Sequence, residues 1–323
     1  MHVSVVLPTY NRCDALRSAL EKLLAQRTNG IDYEILVVDN NSPDRTKAVV
    51  ASFAAQDFRF RYVFEGRQGV SYARNAGIGA ARSDLLVFCD DDVEVHPAWI
   101  QKNYEAALRF PEAAYIGARI LPIWQAPPPA WTRWSMAPFA CSEHGDEPVV
   151  VSPENQQCLI TASLAVPRNT FLQVGMFDVE TQKVKDAPCS TEDFEWERKV
   201  WARGGHGIYV PDILCYTPIP KERVRKSYHR RWHLCHGKLN AISRTSGFEG
   251  RRNFLGVALF VYRLTLEAAF NLVRYAFRSD QRAFESETRI WFLLGFMRQR
   301  WKDYFFGSDK HRPANAARDQ PAV

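Results

Sequence analysis

Residues 85–95 read LLVFCDDDVEV: five apolar residues are followed at once by three aspartates. The apolar run Leu85–Cys89 predicts a buried β-strand, because it is short, continuous and bounded by polar residues. Asp90, Asp91 and Asp92 would then stand together where this strand ends. Like charges at such a place repel one another and are costly unless a cation or water neutralises them. A solvated acidic turn is the alternative, but the position directly after an apolar strand favours a hard divalent cation with oxygen ligands.

The chain around this stretch alternates between strand and helix patterns. Helical spacing of apolar residues over Asp14–Ala25 and Val70–Ala81 separates the runs that predict strands. Continuous apolar strands separated by helices indicate an α/β fold, with a mostly parallel sheet covered by helices on both faces. The other predicted strands are Val3–Leu7, Glu34–Asp39, Phe60–Phe64 and Ala114–Ile120.

Polar clusters stand at the ends of three predicted strands, at Thr9–Arg12, Asp39–Ser42 and Asp90–Asp92. In open parallel sheets, ligands bind beyond the carboxyl ends of the strands. The sequence therefore predicts one ligand site along this edge of the sheet. Residues 121–158 break the alternation, and their proline- and tryptophan-rich beginning predicts a structured loop.

Six segments together resemble the successive signatures of family 2 glycosyltransferases. Downstream of the strands, GMFD at 175–178 is similar to the family's acceptor-side G-G-F-D segment, and Thr191-Glu192-Asp193 is similar to its x-E-D motif. The resemblance covers roughly residues 3–240, and the order of the pieces makes it more specific than any one of them. The four upstream segments are VSVVLPTYNR (3–12), EILVVDNNSPDRT (34–46), GVSYARNAGIGAA (69–81) and LLVFCDDDVEV (85–95).

The resemblance implies a GT-A fold and a domain organisation. Residues 1–240 would form the catalytic domain, with a nucleotide-sugar half over 1–120 and an acceptor half over 121–240. An amphipathic helical extension would follow over 241–306, and 307–323 would be a flexible polar tail.

The implied activity is that of an inverting, hexosyltransferase-type glycosyltransferase. It would move a sugar from a nucleotide-diphospho-sugar to a hydroxyl of a glycan or lipid-linked acceptor, in cell-surface polysaccharide or glycolipid assembly.

The resemblance also implies donor-side roles, one residue at a time. Asp39 would accept a hydrogen bond from the base or ribose, although helix capping is the alternative for an aspartate after a strand. Arg74 and Asn75 would reach the diphosphate or base, with a surface arginine as the alternative for Arg74, and Arg67 is a second candidate for this work. The base and phosphate pocket would be lined by Pro8, Thr9, Tyr10 and Arg12, for which a simple strand-to-helix turn is the alternative.

Asp90 and Asp92 are the outer members of the family's D-x-D motif. By resemblance, Asp90 faces the ribose and the waters of the metal, while Asp92 ligates the divalent cation, Mn²⁺ or Mg²⁺. Asp91 could substitute for either, since the sequence leaves the register open. The metal would stabilise the departing nucleoside diphosphate.

The resemblance makes Asp193 the general base that takes the proton of the acceptor hydroxyl, with Glu192 supporting its orientation. Capping is the alternative for both, because carboxylates are favoured at a helix N-terminus. Phe177, Asp178 and Trp131 are acceptor-side candidates. Stacking on an acceptor and packing of the loop onto the domain are equal alternatives for the aromatic rings of Trp124, Trp131, Trp134 and Phe177.

One departure from the family affects the metal. Many relatives place a metal-binding histidine shortly after the x-E-D helix, and here Thr217 stands at that place. Threonine is a poor ligand for a divalent ion, so the metal would keep an extra water or borrow His229, His233 or His236. The alternative for these three histidines is a basic or partner-facing surface.

Charge and composition limit the partners. The net charge of +6 suits a phosphate-bearing ligand or an anionic membrane, and no zinc-finger or RNA-recognition signature points to nucleic acid. The helical patterns Phe254–Phe277 and Arg289–Phe306 mix aromatic and basic residues, which suits the surface of an anionic membrane. A helical cap on the catalytic domain or a dimer interface is the alternative.

The seven scattered cysteines include no C-x-x-C pair, which indicates a reducing compartment. With no secretory signal or membrane-spanning run in the sequence, we expect a cytoplasmic protein, and peripheral association with the cytoplasmic membrane face stays open.

Two rival functions stay open. A nucleotidyltransferase shares the fold type and an acidic metal site, but it usually carries a glycine-rich basic loop after the first strand. A membrane-associated scaffold without catalysis is the other rival, which Thr217 keeps open and the intact Asp90, Asp92 and Asp193 oppose.

Overall fold

The computed structural model describes residues 2–133, 135–180, 182, 188–243, 252–277 and 279–307. The chain divides into two compact units, Met1–Trp232 and His233–Val323. The division falls inside a helix, and the end of the catalytic domain at residue 240, which the resemblance implied, stays a prediction. The predicted tail lies outside the described residues from residue 308 onward.

The first unit is built on one mixed sheet. Its strand order is β3-β2-β1-β4-β8-β6-β9-β5, and β7 pairs with β9. The strands are β1 (Val3–Thr9), β2 (Tyr33–Asp39), β3 (Phe60–Phe64), β4 (Leu85–Cys89), β5 (Glu94–Val95), β6 (Tyr115–Trp124), β7 (Val149–Val151), β8 (Ser163–Pro167) and β9 (Gly207–Ile219).

The first four strands are parallel to one another, and β8 is antiparallel to both of its neighbours, β4 and β6. The predicted mostly parallel α/β sheet is therefore confirmed. β6 continues to Trp124, beyond the predicted end at Ile120, because it pairs in parallel with β9 along its whole length. Part of the predicted loop 121–158 is thus strand, namely the end of β6 and the whole of β7.

Helices cover both faces of the sheet, as the alternating pattern predicted. Successive residues of a strand point to opposite faces. Accordingly, Val5 and Leu7 join the core under the helices on one face, while Val6 joins the core under the helices on the other face. The helices are α1 (Cys13–Leu24), α2 (Thr46–Ala54), α3 (Val70–Ala80), α4 (Trp99–Arg109), α5 (Arg168–Val174), α6 (Glu192–Trp201) and α7 (Lys226–Ser243), the last of which contains the division between the units.

A glycine sets the close approach of α3 to the sheet. A Cβ atom built on Gly77 would lie only 2.3 Å from a methyl carbon of Val6 on β1. Any larger residue would push the helix outward. This packing brings Arg74, which lies about one turn earlier on α3, to the edge where β4 ends.

The second unit consists of a short hairpin and two long helices besides the end of α7. A Ser279 side chain accepts a hydrogen bond from the Arg282 amide and so starts the last helix earlier than the predicted residue 289. Within the described residues, no helix combines the length and apolarity needed to cross a bilayer. The elements are β10 (Asn253–Phe254), β11 (Val257–Ala258), α8 (Leu259–Tyr275) and α9 (Asp280–Phe306).

Candidate active site

The three predicted polar clusters meet at one edge of the sheet. In the register of the parallel strands, Thr9 at the end of β1 stands beside Asp39 at the end of β2. The Thr9 hydroxyl reaches across to the other neighbour of β1 and donates to Asp91 Oδ2 at 2.7 Å. The edge predicted from the sequence to hold a ligand therefore does bring these side chains together.

Asp91 is the inward member of the acidic run. It is buried, and besides Thr9 its carboxylate accepts a hydrogen bond from Arg12 at 3.3 Å. Burial, followed by the neighbouring charge of Asp92, raises the pKa of Asp91 to about 7, although Arg12 and Thr9 act in the opposite direction. Asp91 is thus held as an anchor between the first and fourth strands.

Asp90 and Asp92 are the outward members, and their side chains stay 35% and 32% exposed. Arg12 also pairs with Asp92, at 2.9 Å. Mg²⁺ is usually held by one or two carboxylates together with water and substrate phosphates. Asp90 and Asp92 therefore offer two outward carboxylates that fit such a cation. The third carboxylate, Asp91, is buried, and its pKa is raised to about 7. This geometry favours Asp90 and Asp92 over Asp91 as ligands.

Arg74 lies at the centre of a second cluster of acids. Its side chain is only 5% exposed, so it is not the surface arginine of the alternative interpretation. The guanidinium donates to Glu192 at 2.7 Å, to Asp193 at 3.4 Å and to Asp90 at 3.3 Å. The structure therefore places Arg74 among carboxylates, and the predicted contact with a diphosphate stays a prediction.

Asp193 lies in the first turn of α6. Its Oδ1 accepts the Thr161 hydroxyl at 2.9 Å, and its Oδ2 accepts the Thr161 amide at 3.3 Å. These bonds join the carboxylate to the segment before β8, and the N-cap residue of α6 makes no side-chain cap bond. The geometry therefore favours a chemical role for Asp193 over capping. Burial raises the pKa of Asp193 to about 6, with Arg74 opposing this effect and Glu192 adding to it.

Asp39 is buried and accepts two hydrogen bonds, from the Ser42 amide at 2.9 Å and from the Tyr62 hydroxyl at 2.7 Å. Burial, together with this bond, raises the pKa of Tyr62 to about 12. Asp39 thus orders the loop after β2. Helix capping does not describe it, because the Asp44 carboxylate accepts the Thr46 amide at the start of α2.

Asn75 anchors the acceptor-side segment. Its side chain exchanges two hydrogen bonds with the Phe177 backbone, at 3.0 and 3.1 Å. The Phe177 ring is 3% exposed and meets Phe88 edge-on at 5.5 Å. This burial favours packing over stacking on an acceptor. Asp178 is half-buried and accepts the Glu180 amide at 2.8 Å.

The remaining donor-side candidates lie nearby. Pro8 is buried inside β1, which continues through it to Thr9. Tyr10 is half-buried in the turn before α1, and Arg67 pairs with Glu65 beside β3.

Trp131 belongs to a buried aromatic cluster in the first unit. Its ring and that of Phe139 contact the His229 ring at centroid distances of 5.1 and 5.0 Å. The His229 Nε2 lies 2.8 Å from the Arg223 carbonyl oxygen, and burial lowers the pKa of this histidine to about 4. Packing therefore describes Trp131 better than stacking on an acceptor, and Trp134 lies outside the described residues.

Thr217 is buried on β9 opposite Pro122, and a ligand role for His233 or His236 in its place stays a prediction. His229 is enclosed by aromatic rings. His236 packs on Phe292 in the second unit, where burial lowers its pKa to about 4. Over the part of the chain that the structure describes, no three His, Cys, Asp or Glu side chains are grouped so that they could hold a metal. The borrowed ligand suggested for His229 is thus not supported.

Two residues of this site, Thr161 and Asn40, were not predicted from the sequence. Thr161 precedes β8 without any motif to mark it. Asn40 follows Asp39 and binds the backbone of the next loop, through the carbonyls of Glu65 and Arg67 and the amide of Gly69. Its position inside the segment 34–46 was the only available signal.

Known proteins are similar to this chain in sequence. Residues 4–149 match the sequence model described as Glycosyl transferase family 2. Glycosyltransferase AglE of Haloferax volcanii is 35% identical over 102 residues, which are 31% of this chain and 34% of that protein. A glucosyl-dolichyl phosphate glucuronosyltransferase of the same organism is 27% identical over 192 residues, 58% of this chain and 59% of that protein. The match thus spans less than two thirds of each of these relatives.

A solved structure shares the fold. The mannosyltransferase PcManGT from Pyrobaculum calidifontis, in complex with GDP-Man and Mn²⁺, aligns with a TM-score of 0.60 at 15% identity. The alignment covers 93% of this chain and 87% of that chain. At this identity the likeness speaks for the fold alone, and it confirms the predicted GT-A type.

Proposed function

Since residues 4–149 of this chain belong to glycosyl transferase family 2, we propose that it transfers a sugar from a nucleotide-diphospho-sugar to an acceptor hydroxyl. One observation carries the proposal: the buried guanidinium of Arg74 contacts both Asp90 at the end of β4 and Asp193 at the start of α6. Asp90, the predicted donor-side acid, and Asp193, the predicted base, therefore both contact the Arg74 side chain. A donor and an acceptor held by these two groups would meet.

On the donor side, Asp90 and Asp92 would hold a divalent cation, Mn²⁺ or Mg²⁺. Such a cation, when bound, neutralises charge on the diphosphate that leaves. Arg12 supports the same end of the reaction, because its partly exposed guanidinium adds a fixed positive charge beside Asp92. Thr9 and Asp91 keep this acidic edge in place by tying β1 to β4.

On the acceptor side, Asp193 would take the proton of the attacking hydroxyl. With a pKa of about 6, its carboxylate is ionised at neutral pH and is still a useful base. Thr161 and Arg74 fix its orientation, and Glu192 balances the charge of Arg74 from the other side. Attack by a single activated hydroxyl opposite to the leaving diphosphate inverts the configuration of the transferred sugar.

The acceptor and the setting belong to the same proposal. The name of one relative contains glucosyl-dolichyl phosphate, which is a lipid-linked sugar. We propose a glycan or lipid-linked acceptor used in cell-surface polysaccharide or glycolipid assembly. The enzyme would work in the cytoplasm, peripherally associated with an anionic membrane surface.

Binding and turnover test this proposal separately. Binding of UDP and GDP is measured by calorimetry with and without Mn²⁺, for the native chain, for Asp92→Ala and for the control Asp146→Ala. The Asp146 side chain is 92% exposed and pairs with Arg119 on β6, not with the acidic run. Metal-assisted binding by the native chain and the control that is lost in Asp92→Ala supports the donor site. Equal binding by all three proteins contradicts it.

Products separate the rival functions. With UDP-glucose or GDP-mannose as donor, a glycosyltransferase releases the nucleoside diphosphate, by transfer or by slow hydrolysis. A nucleotidyltransferase instead releases pyrophosphate from a nucleoside triphosphate and a sugar phosphate, and a scaffold does neither. Release of nucleoside diphosphate that Asp193→Asn abolishes, while nucleotide binding persists, supports the base. Release of pyrophosphate contradicts the proposal.

A further inference from the structure

Helix α8 carries a continuous apolar face that points away from its own unit. Five large apolar side chains on or just after this helix are between 48% and 99% exposed. They are three, four or seven residues apart, so they lie on one side of the helix. Soluble monomers rarely expose apolar patches of this extent without a partner. The five residues, called here the α8 face, are Leu259, Leu266, Phe270, Val273 and Phe277.

The core of the second unit uses another side of α8. Val261 is fully buried in a cluster with Leu293, Phe296 and Met297 of α9. The α8 face is therefore not an imperfectly packed core surface of this unit. It is a second apolar surface, on the other side of α8 from the core residue Val261.

More exposed aromatic rings lie near the Leu259 end of the face. Tyr262 on α8 contacts the Phe254 ring at 6.0 Å and accepts a hydrogen bond from the Trp301 indole at 3.0 Å. This contact places the end of α9 next to the hairpin and the start of α8. Phe254, Tyr304, Phe305 and Phe306 are all exposed there.

Basic side chains border the face along one side. Arg263 and Arg274 are exposed, and their positions on the helical wheel lie next to those of Leu259 and Phe270. Glu267 is exposed on the same border, so two positive charges there outweigh one negative charge. Over residues 252–307, basic residues outnumber acidic ones. An apolar strip with a basic border suits the interface of an anionic membrane, where apolar side chains enter the acyl region and arginines meet the headgroups.

We propose that the α8 face is a docking surface for an anionic lipid membrane, with α8 lying parallel to the bilayer plane. This inference deepens the membrane association proposed above and rests on it.

Two other occupants fit less well. In an antiparallel twofold pairing of this face with a second copy, Arg263 of one copy would approach Arg274 of the other, and like charges so close are unfavourable. The segments of this chain outside the description, residues 244–251 and 308–323 among them, are mostly polar in sequence and offer few side chains to cover an apolar strip.

Vesicle co-sedimentation of the full chain tests the docking surface. Vesicles of pure phosphatidylcholine are compared with vesicles that contain about 30% anionic phosphatidylglycerol, which gives the membrane a negative surface potential. We expect the native chain to bind the anionic vesicles more strongly. Phe270→Glu should weaken that binding about tenfold or more, since it removes buried apolar area and places a negative charge in the interface.

Phe58→Glu is the matched control. Phe58 is a 90% exposed phenylalanine between α2 and β3 in the first unit, so this change adds the same charge to the same kind of side chain elsewhere. It should leave vesicle binding unchanged, and thermal unfolding of both variants should match that of the native chain. Arg263→Gln combined with Arg274→Gln should reduce the preference for anionic vesicles and leave the weak binding to neutral ones.

Each other outcome counts against the proposal. If the native chain binds vesicles and Phe270→Glu binds equally well, membrane association survives and the α8 face is wrong. If the native chain binds neither vesicle, both are wrong, although nucleotide binding and turnover remain testable on their own. If sedimentation velocity shows a native dimer that Phe270→Glu converts to a monomer, with no vesicle binding, the face is an interface between two copies.

Discussion

Folded proteins usually bury apolar side chains and expose charged ones, and two regions of this molecule depart from that rule. The sheet edge at Asp90 buries charged side chains, and the α8 face exposes apolar ones. At the sheet edge, charged groups are buried, and each finds a partner: Arg74 has three carboxylates, and Asp91 has Thr9 and Arg12. On α8, five apolar side chains are exposed. Buried charge is expensive and must be compensated inside the protein, whereas exposed apolar surface is compensated only from outside.

This difference makes the two regions respond differently to mutation. A change at the sheet edge should affect stability and chemistry together, because it leaves a buried charged group without its partner of opposite charge. A change on α8 should affect association alone.

Arg74→Ala should cause the largest loss. It leaves Asp90, Glu192 and Asp193 close together without their common cation, and breaking a buried ion pair costs about 3–5 kcal/mol of unfolding free energy. Urea unfolding at pH 7.5 measures this loss. The deficit should shrink at pH 5, where the carboxylates can protonate. A deficit that is equal at both pH values would show that lost packing, and not uncompensated charge, is the cause.

Asp193→Asn should lower the rate constant of transfer or donor hydrolysis by about 10²–10⁴-fold, the usual contribution of a general base. Binding of UDP or GDP should stay within about twofold of native, because the donor-side acids are unchanged. The measurement is turnover at saturating donor, with Asp146→Ala as the control. A parallel loss of turnover and nucleotide binding would mean that Asp193 supports the donor site instead.

The pH profile should show one acidic limb. As the proposed base, Asp193 would act in its ionised form, so kcat should fall about tenfold per pH unit below the pKa of about 6 and level off above it. Thr161→Val removes a hydrogen bond that favours the ionised form and should move this limb to higher pH. An unmoved limb would assign the titration to another group. Steady-state rates between pH 5 and 8 are sufficient.

Tyr62→Phe should have the smallest effect. It removes the hydroxyl that donates to buried Asp39 and costs about 1–2 kcal/mol of unfolding free energy. Tyr33→Phe, on the neighbouring strand β2, is the control: it removes a buried tyrosine hydroxyl that accepts a hydrogen bond from Arg59 and does not contact Asp39. A loss below that of the control would mean that Asp39 is satisfied without Tyr62.

Much of the catalytic half could be predicted from the sequence because its signals are local. The apolar runs correctly predicted β1 to β4, since a short continuous run bounded by turn residues has few other solutions. The edge that holds Thr9, Asp39 and Asp90 followed from the rule that parallel strands end on the same side. The start of α3 at Val70 also agreed with the pattern.

The rest depended on contacts between distant residues. The antiparallel insertion of β8 between β4 and β6 has no local signature, because strand neighbours are chosen by the fit of whole faces. For the same reason the partners of Arg74 and Asn75 within the protein could not be predicted: the packing of α3 at Gly77 turns Arg74 toward the acids and Asn75 toward Phe177. Thr161 has no motif and acquires its role from the position of Asp193.

By itself, the sequence determined that an α/β sheet would end in aspartates at Asp90–Asp92, and that carboxylates would start the helix at Glu192. Both follow from hydrophobic patterning and from the order of short motifs, which neighbouring residues dictate. Only the tertiary structure decided which acids face inward, which share Arg74, and which side of α8 is left apolar and exposed. Those outcomes depend on the direction of each side chain, and direction is set by packing between segments far apart in the chain.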